Sequence, residues 1–176
     1  MKISIITPFY EGAKYMDALV DCLLSNREAL AKVGHEMEAI LVNDSPWKTL
    51  EAPATESQFI KVITNLENKG IHYSRVAGLA QATGDYIMFL DQDDIITCDA
   101  LPKLLKTAVS SNADVVVANA SLEQADGSKL LWYRNSAHKA LVGDLKRIYE
   151  LEFRLFLQGS ALLKSLQYQN SGLRIS

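Results

Sequence analysis

The chain alternates apolar, β-rich runs with segments of helical period, and this alternation limits its fold more than any other feature. Lys2–Thr7 leads into the loop Pro8-Phe9-Tyr10-Glu11-Gly12, where Pro8 is expected to end the strand. Met16, Leu19, Val20, Leu23 and Leu24 then recur at helical spacing, laying one apolar face along a helix from about Tyr15 to Lys32. Glu38–Asn43 is the next strand, closed by Asp44-Ser45-Pro46, and Ile60–Thr64 is another. After Asn65–Gly70 a short helix is expected to carry Val76, Leu79 and Ala80 inward, and Gly84 punctuates before the apolar run Tyr86–Leu90. Leu101, Leu104, Leu105, Ala108 and Val109 mark a further amphipathic helix that tolerates Pro102 in its first turn. Asp114–Asn119 supplies the last of these strands. Repeated βα units with apolar strands specify an α/β class: a doubly wound, mostly parallel sheet with helices on both faces and right-handed crossovers.

Length and charge narrow the partners. At 176 residues the chain fits a single domain with a real core, and 48% hydrophobic with 22% charged residues is ordinary globular composition. A net charge of -3 argues against nucleic acid as the main partner. Cys22 and Cys98 form no CxxC pattern and are expected as buried free thiols of a reducing compartment. His35, His72 and His138 show no metal-ligand spacing. Met1 runs directly into a strand without a signal region, and no apolar run reaches the roughly 18–20 residues of a membrane span. A cytoplasmic location is therefore expected, with peripheral contact at the inner face of the membrane left open.

Ligands of such sheets bind outside the carboxyl ends of the strands, so the strand-end residues carry the chemistry. The run Tyr86–Leu90 delivers Asp91, Asp93 and Asp94 at its end. If the strand stays extended, Asp91 and Asp93 share one side while Gln92 turns away. Crowded carboxylates call for positive charge, and hard oxygen ligands suit Mg²⁺ or Mn²⁺ with positions left for ligand phosphates. A solvated acidic turn capping the next helix is the plainer reading. Asp44 reads either as an acceptor for a nucleobase N–H or as turn chemistry, and Tyr10 and Trp47 as apolar surface beside it or as rim residues. Lys69, His72 and Arg75 gather where a helix begins, an unfavourable place for cations that a bound anion would relieve, or one whose small penalty they escape by extending into water.

Taken together, Thr7-Pro8-Phe9-Tyr10, Asn43-Asp44-Ser45, Asn68-Lys69-Gly70 with Arg75 and Gly78, and Ala82-x-Gly84-Asp85-Tyr86-Ile87 leading into Phe89-Leu90-Asp91-Gln92-Asp93-Asp94 resemble the family 2 glycosyltransferases of GT-A fold. The resemblance implies inverting transfer of a sugar from a nucleotide-diphosphate donor, a UDP-sugar by preference, to an acceptor hydroxyl on a saccharide or lipid-linked acceptor. It implies that Asp91 and Asp93 are the DxD carboxylates touching the ribose and the Mn²⁺ or Mg²⁺, that Asp44 reads the base, that Arg75 lies near the diphosphate, and that Pro8 and Tyr10 shape the base pocket. Glu11, Asn68, Gly70 and Gln92 complete the expected donor site. Residues 1–119 would form the nucleotide-sugar-binding part and 120–176 the start of the acceptor part.

The chain departs from that pattern in places. Glu11 stands where the family often has Asn, and Pro46-Trp47 replaces a further acidic residue, which leaves Trp47 as a candidate stacking surface. The general base in family members usually lies in an acidic pair after a segment like Gly159–Lys164. Glu123, Asp126, Asp144, Glu150 and Glu152 form no such pair, so the base is expected beyond Ser176. Leu130–Arg134 is expected as an added strand and Asp144–Leu157 as a helix. A non-catalytic nucleotide-sugar-binding module is the alternative in another class. A sugar nucleotidyltransferase ranks below both, since Thr7–Gly12 has no Lys or Arg.

Overall fold

A computed structural model describes residues 1–56, 58–118, 120–123, 127–133 and 161–164. The elements are β1 (Lys2–Phe9), α1 (Met16–Ala31), β2 (Glu36–Asn43), β3 (Ile60–Thr64), α2 (Gly70–Leu79), β4 (Tyr86–Phe89), α3 (Ala100–Ser111), β5 (Val115–Val117), β6 (Ala120–Glu123), β7 (Lys129–Tyr133) and β8 (Ala161–Lys164). The main sheet runs β3-β2-β1-β4-β8-β5. Its strands are parallel except β8, which pairs antiparallel with both β4 and β5. The expected mostly parallel α/β sheet is therefore present, with one antiparallel strand that βα periodicity does not announce. β8 comes from the 120–176 portion of the chain yet lies inside the main sheet. β6 and β7 form a separate antiparallel hairpin, and β7 covers most of the expected Leu130–Arg134 strand. The helix expected at Asp144–Leu157 lies outside the described residues.

Both faces of the sheet are covered, which is why its strands read as continuous apolar runs rather than alternating ones. Ile3, Ile5 and Phe9 of β1 join Leu19 and Leu23 of α1 and Leu101, Leu104 and Leu105 of α3 in the larger core. Ile6, Ile40, Val42, Ile87 and Phe89 turn to the opposite face, where Ala77 and Leu79 of α2 pack on them. Consecutive residues on a strand thus feed different cores, as the pleat requires.

Two local expectations need correction. Pro8 does not end β1, which continues to Phe9 with Pro8 opposite Val42. The Ile6 carbonyl accepts from Leu90 N–H, so the even-numbered residues of β1 direct their backbone groups toward β4. β4 has ended at Phe89, and no partner there needs the amide that proline lacks. Val76 and Ala80 are not inward: both are exposed, and the buried residues of α2 are Ser74, Arg75 and Gly78. Gly78 sets this rotation. A Cβ at Gly78 would stand 2.4 Å from Ile6 Cγ2 and 3.1 Å from Val42 Cγ2, so the bare glycine backbone rests directly on the sheet.

At the amino end of the sheet a polar network fixes the strand starts. The Lys2 ammonium lies 2.7 Å from Glu38, whose carboxylate also accepts from Ser4 Oγ at 2.5 Å and from Thr83 N–H at 2.6 Å. Ser4 Oγ accepts in turn from Gly84 N–H at 2.8 Å. Burial pushes the Glu38 carboxyl up, but Lys2, Ser4 and Thr83 outweigh it and hold it below the ordinary glutamate value.

Gly78→Ala is expected to lower stability by about 1–2 kcal/mol in urea unfolding, because overpacking against a sheet outweighs the ~1 kcal/mol that Ala gains in helix propensity. Glu38 contributes stability above its unfolded-state pKa, and that contribution disappears as pH falls through its lower folded-state value. The stability difference between the wild type and Glu38→Gln should be largest at neutral pH and shrink as pH falls below the ordinary glutamate value and through the lowered folded-state one, as followed by denaturant midpoints across pH.

Candidate functional site

The strand order reverses at β1: β2 and β3 lie to one side and β4 to the other, which is where open α/β sheets place their ligands. A cleft of about 400 Å³ opens there, at the carboxyl ends of β1, β2 and β4. Pro8, Tyr10, Asp44, Asn68, Gly70, Asp91, Gln92 and Asp93 line it, so the structure brings these expected residues together. Phe9, Ile71 and Ser74 line it too and were not anticipated. Ser74 carried a usable signal: it lies one turn after Gly70, on the same side of α2.

Asp44 is the most constrained of these side chains. It is 3% exposed, and its Oδ1 accepts from Asn65 Nδ2 at 2.7 Å and from Lys69 N–H at 2.8 Å. Its Oδ2 accepts from Gly70 N–H at 2.7 Å. Asp44 therefore caps α2 from the loop that follows β2. Gly70 takes a φ of +81°, a left-handed conformation that a side chain would resist. Asn65 Nδ2 also donates to Ser74 Oγ at 3.0 Å, which in turn donates to the Gly70 carbonyl at 3.1 Å. A carboxylate has about four acceptor positions, so Asp44 retains capacity for one donor from the cleft.

Of the two readings of the cations of α2, this cap and the exposure of Lys69 and His72 favour side chains extended into water. The anion at the helix start is the chain's own Asp44. Lys69 pairs with Glu67 and His72 is exposed. Arg75 is buried within the helix and donates from Nη2 to Asp91 Oδ1 at 2.7 Å. Arg75 does not line the cleft; it acts on it through Asp91.

The acidic segment is a turn rather than extended chain. Asp94 N–H donates to the Asp91 carbonyl at 3.0 Å, so the i, i+2 geometry of a strand does not apply. Gln92 does not turn away: its Oε1 accepts from Tyr10 N–H at 3.0 Å and its Nε2 donates to the Tyr10 carbonyl at 3.2 Å. Beyond the turn, Ile96 is fastened to α1, its N–H reaching Cys22 Sγ at 3.4 Å while the thiol donates to its carbonyl at 3.3 Å. Both cysteines are free, but only Cys22 is buried; Cys98 is exposed.

Glu11 also departs from expectation, since it is outside the cleft lining. It sits in the left-handed region at φ +48°, where Asn is more at ease than Glu. Its N–H donates to Ser45 Oγ at 3.0 Å, and its carboxylate meets Lys48 Nζ at 3.2 Å and Trp47 Nε1 at 3.4 Å. The hydrogen bond from Lys48 chiefly, then that from Trp47, holds this carboxyl below the ordinary glutamate value. Glu11 thus ties the loop after β1 to the loop after β2. Trp47 does not line the cleft; it meets the Tyr10 ring edge-on, with centroids 6.2 Å apart.

Electrostatics test whether a cation suits the acidic turn. Partial desolvation, then the charges of Asp91 and Asp93, push the Asp94 carboxyl above the ordinary aspartate value, and Arg75 only offsets them. The turn is short of positive charge, and its oxygen donors are of the kind that Mg²⁺ and Mn²⁺ prefer. Among the described residues no group of three or more His, Cys, Asp or Glu side chains forms a ready-made metal cluster. An ion held here would complete its shell with phosphate oxygens and water, as Mg²⁺ commonly does.

Among the acidic residues considered for the general base, Glu123 pairs with Lys129 at 3.6 Å on the β6–β7 hairpin. Asp126, Asp144, Glu150 and Glu152 lie outside the described residues. No helix among the described residues is long and apolar enough to cross a membrane.

The family model for glycosyl transferase family 2 matches residues 4–167. The chain belongs to that family. The succinoglycan biosynthesis protein ExoO of Rhizobium meliloti is 27% identical over 165 residues, covering 93% of this chain and 44% of that protein. The fold is the GT-A fold of solved relatives. TarS residues 1–349 from S. aureus, in a complex with UDP, aligns with a TM-score of 0.73 at 19% identity, covering all of this chain and 50% of that one. The mannosyltransferase PcManGT of Pyrobaculum calidifontis, in a complex with GDP-Man and Mn²⁺, aligns with a TM-score of 0.53 at 18% identity over 66% of this chain and 34% of that one. The chain spans between 31% and 44% of the first curated relatives it matches.

Asp44→Ala should lower the stability of the ligand-free chain by about 2 kcal/mol in denaturant unfolding, since it uncaps α2 and strands the buried Asn65 amide.

Proposed function

We propose that this chain is the donor-binding part of an inverting, metal-dependent glycosyltransferase that moves a sugar from a nucleotide-diphosphate donor, UDP-sugar by preference, to an acceptor hydroxyl. The observation that carries this reading is the cleft at the sheet's switch point, which sets a fixed, buried acceptor carboxylate, Asp44, opposite an acidic turn short of positive charge. Family membership supplies the reaction class, and the UDP complex of the TarS structure makes uracil the first base to test.

In this reading the base enters between Asp44 and the Tyr10 ring, with Pro8 and Phe9 as its apolar floor. Asp44 keeps its remaining acceptor position for a base N–H, a contact that distinguishes bases by what they can donate. The diphosphate lies toward Asp91 and Asp93. Asp91 is already engaged by Arg75, so Asp93 carries the larger share of the metal. When bound, Mn²⁺ or Mg²⁺ supplies electrostatic stabilisation of the diphosphate as it leaves. Arg75 holds Asp91 in place and brings a buried positive charge toward the same end of the donor. Asn68 and Gly70 close the side of the cleft at the start of α2. Polysaccharide or glycoconjugate synthesis at the cytoplasmic face of a membrane, with a saccharide or lipid-linked acceptor, is the setting this reading implies.

Calorimetric titration of UDP, with GDP, CDP and ADP as controls, tests the assignment with and without Mn²⁺. Tight binding of UDP that requires the metal, and that falls by about tenfold or more in Asp93→Asn, is the expected result. A chain that binds no nucleoside diphosphate under either condition would remove the donor-site reading.

A further inference from the structure

The Gln92 amide sits between the two parts of the cleft and touches both. It exchanges two hydrogen bonds with a single residue: Tyr10 N–H donates to its Oε1 at 3.0 Å and its Nε2 donates to the Tyr10 carbonyl at 3.2 Å. This is the pairing that two strand residues make across a sheet, here made by a side chain after β4 has ended. It bridges the carboxyl ends of β1 and β4, the two strands at the switch point.

The amide is also held by packing. A Cβ on Gly12 would stand 2.1 Å from Gln92 Oε1 and 2.5 Å from its Cδ, so the amide occupies the space that a side chain at Gly12 would take. Gly12 is buried in consequence of such cover, although it belongs to a surface loop. Its φ of -93° is open to any residue, so what requires glycine here is Gln92 and not backbone conformation. An amide is the side-chain group that offers one donor and one acceptor side by side. A carboxylate would leave the Tyr10 carbonyl without its donor, and an asparagine would fall one methylene short.

We propose that Gln92 is a positioning residue that makes metal and nucleotide binding cooperative, by locking the acidic turn to the loop that carries Tyr10. The inference rests on the donor-site reading above. Gln92 lies between Asp91 and Asp93, and Tyr10 lies on the opposite lip with its backbone N–H and carbonyl both held. Ordering either lip therefore orders the other. An ion that fixes the acidic turn prepares the Tyr10 side for the base, and a base that fixes Tyr10 prepares the carboxylates for the ion; linkage makes the two effects equal.

The test is a comparison of UDP affinity with and without Mn²⁺ for the wild type, Gln92→Ala, Gly12→Ala and the double variant, together with amide exchange at Tyr10. Gly12→Ala drives a methyl group into the clamp from the opposite side, so a folding defect in one single variant leaves the other to decide. In the wild type Mn²⁺ should strengthen UDP binding and the Tyr10 amide should be protected. Each single variant should reduce the strengthening by Mn²⁺ by about five-fold or more and speed Tyr10 exchange. The double variant should match Gln92→Ala, because Gly12→Ala has nothing left to break. Unchanged coupling in Gln92→Ala, or independent additive losses in the double variant, would overturn the clamp while leaving the donor site standing. A wild-type chain that binds no UDP would instead overturn the donor site, and the coupling with it.

Discussion

The cleft depends on β1 being the strand at which the sheet changes direction. Because β2 and β4 flank it on opposite sides, their following loops diverge, and the gap between them is bounded by the end of β1 itself. Two sequence features make β1 suited to that position. Its apolar residues feed both cores, so it is buried on both faces. Pro8 places its missing N–H on the side where β4 has already stopped, so the strand runs three residues past its neighbour, Thr7 to Phe9. That overhang lets the β1 end form a wall of the cleft and not merely its floor.

Charge is arranged around this gap with few free groups. The positive end of α2, worth a few tenths to about 1 kcal/mol to a nearby anion, is taken by Asp44. Removing Asp44 from water costs several kcal/mol unless its oxygens are satisfied, and the amides of Lys69 and Gly70 with the Asn65 side chain satisfy them. Arg75, buried on the same helix, neutralises one carboxylate of the acidic turn. What remains uncompensated is the rest of that turn, where partial desolvation first, and then the charges of Asp91 and Asp93, make Asp94 hold its proton more readily than an ordinary aspartate. The site thus presents a hydrogen-bonded carboxylate where the base would enter and a cluster of carboxylates where a cation would be held.

Much of this was legible in the sequence, for identifiable reasons. Strand and helix periods gave the α/β class, and the ordered strand-end motifs placed Pro8, Tyr10, Asp44, Asn68, Gly70, Asp91, Gln92 and Asp93 at one cleft. What was hidden lay in contacts between segments far apart in the chain. Nothing near Val76 says that Gly78 will let α2 sit on Ile6, which rotates the helix and turns Val76 outward. Nothing near Lys69 says that Asp44 will take the anion's place at the helix start. β8 escaped periodicity because a four-residue strand has no period of its own to show.

The roles of Glu11 and Gln92 illustrate a limit of reasoning from residue type. Both are polar residues beside a ligand cleft, and both read naturally as ligand contacts. Glu11 instead holds Ser45, Trp47 and Lys48 against the first loop, and Gln92, which does line the cleft, also holds the backbone of Tyr10. Loops at strand ends cannot draw on sheet hydrogen bonds, since the ladder has ended, so side chains must supply the bonds that fix them. A cleft built from such loops therefore needs polar residues to hold its own shape in addition to those that meet a ligand. The paired donor and acceptor of Gln92, set on a glycine with no room for a side chain, hold the shape of a cleft that the same residue lines.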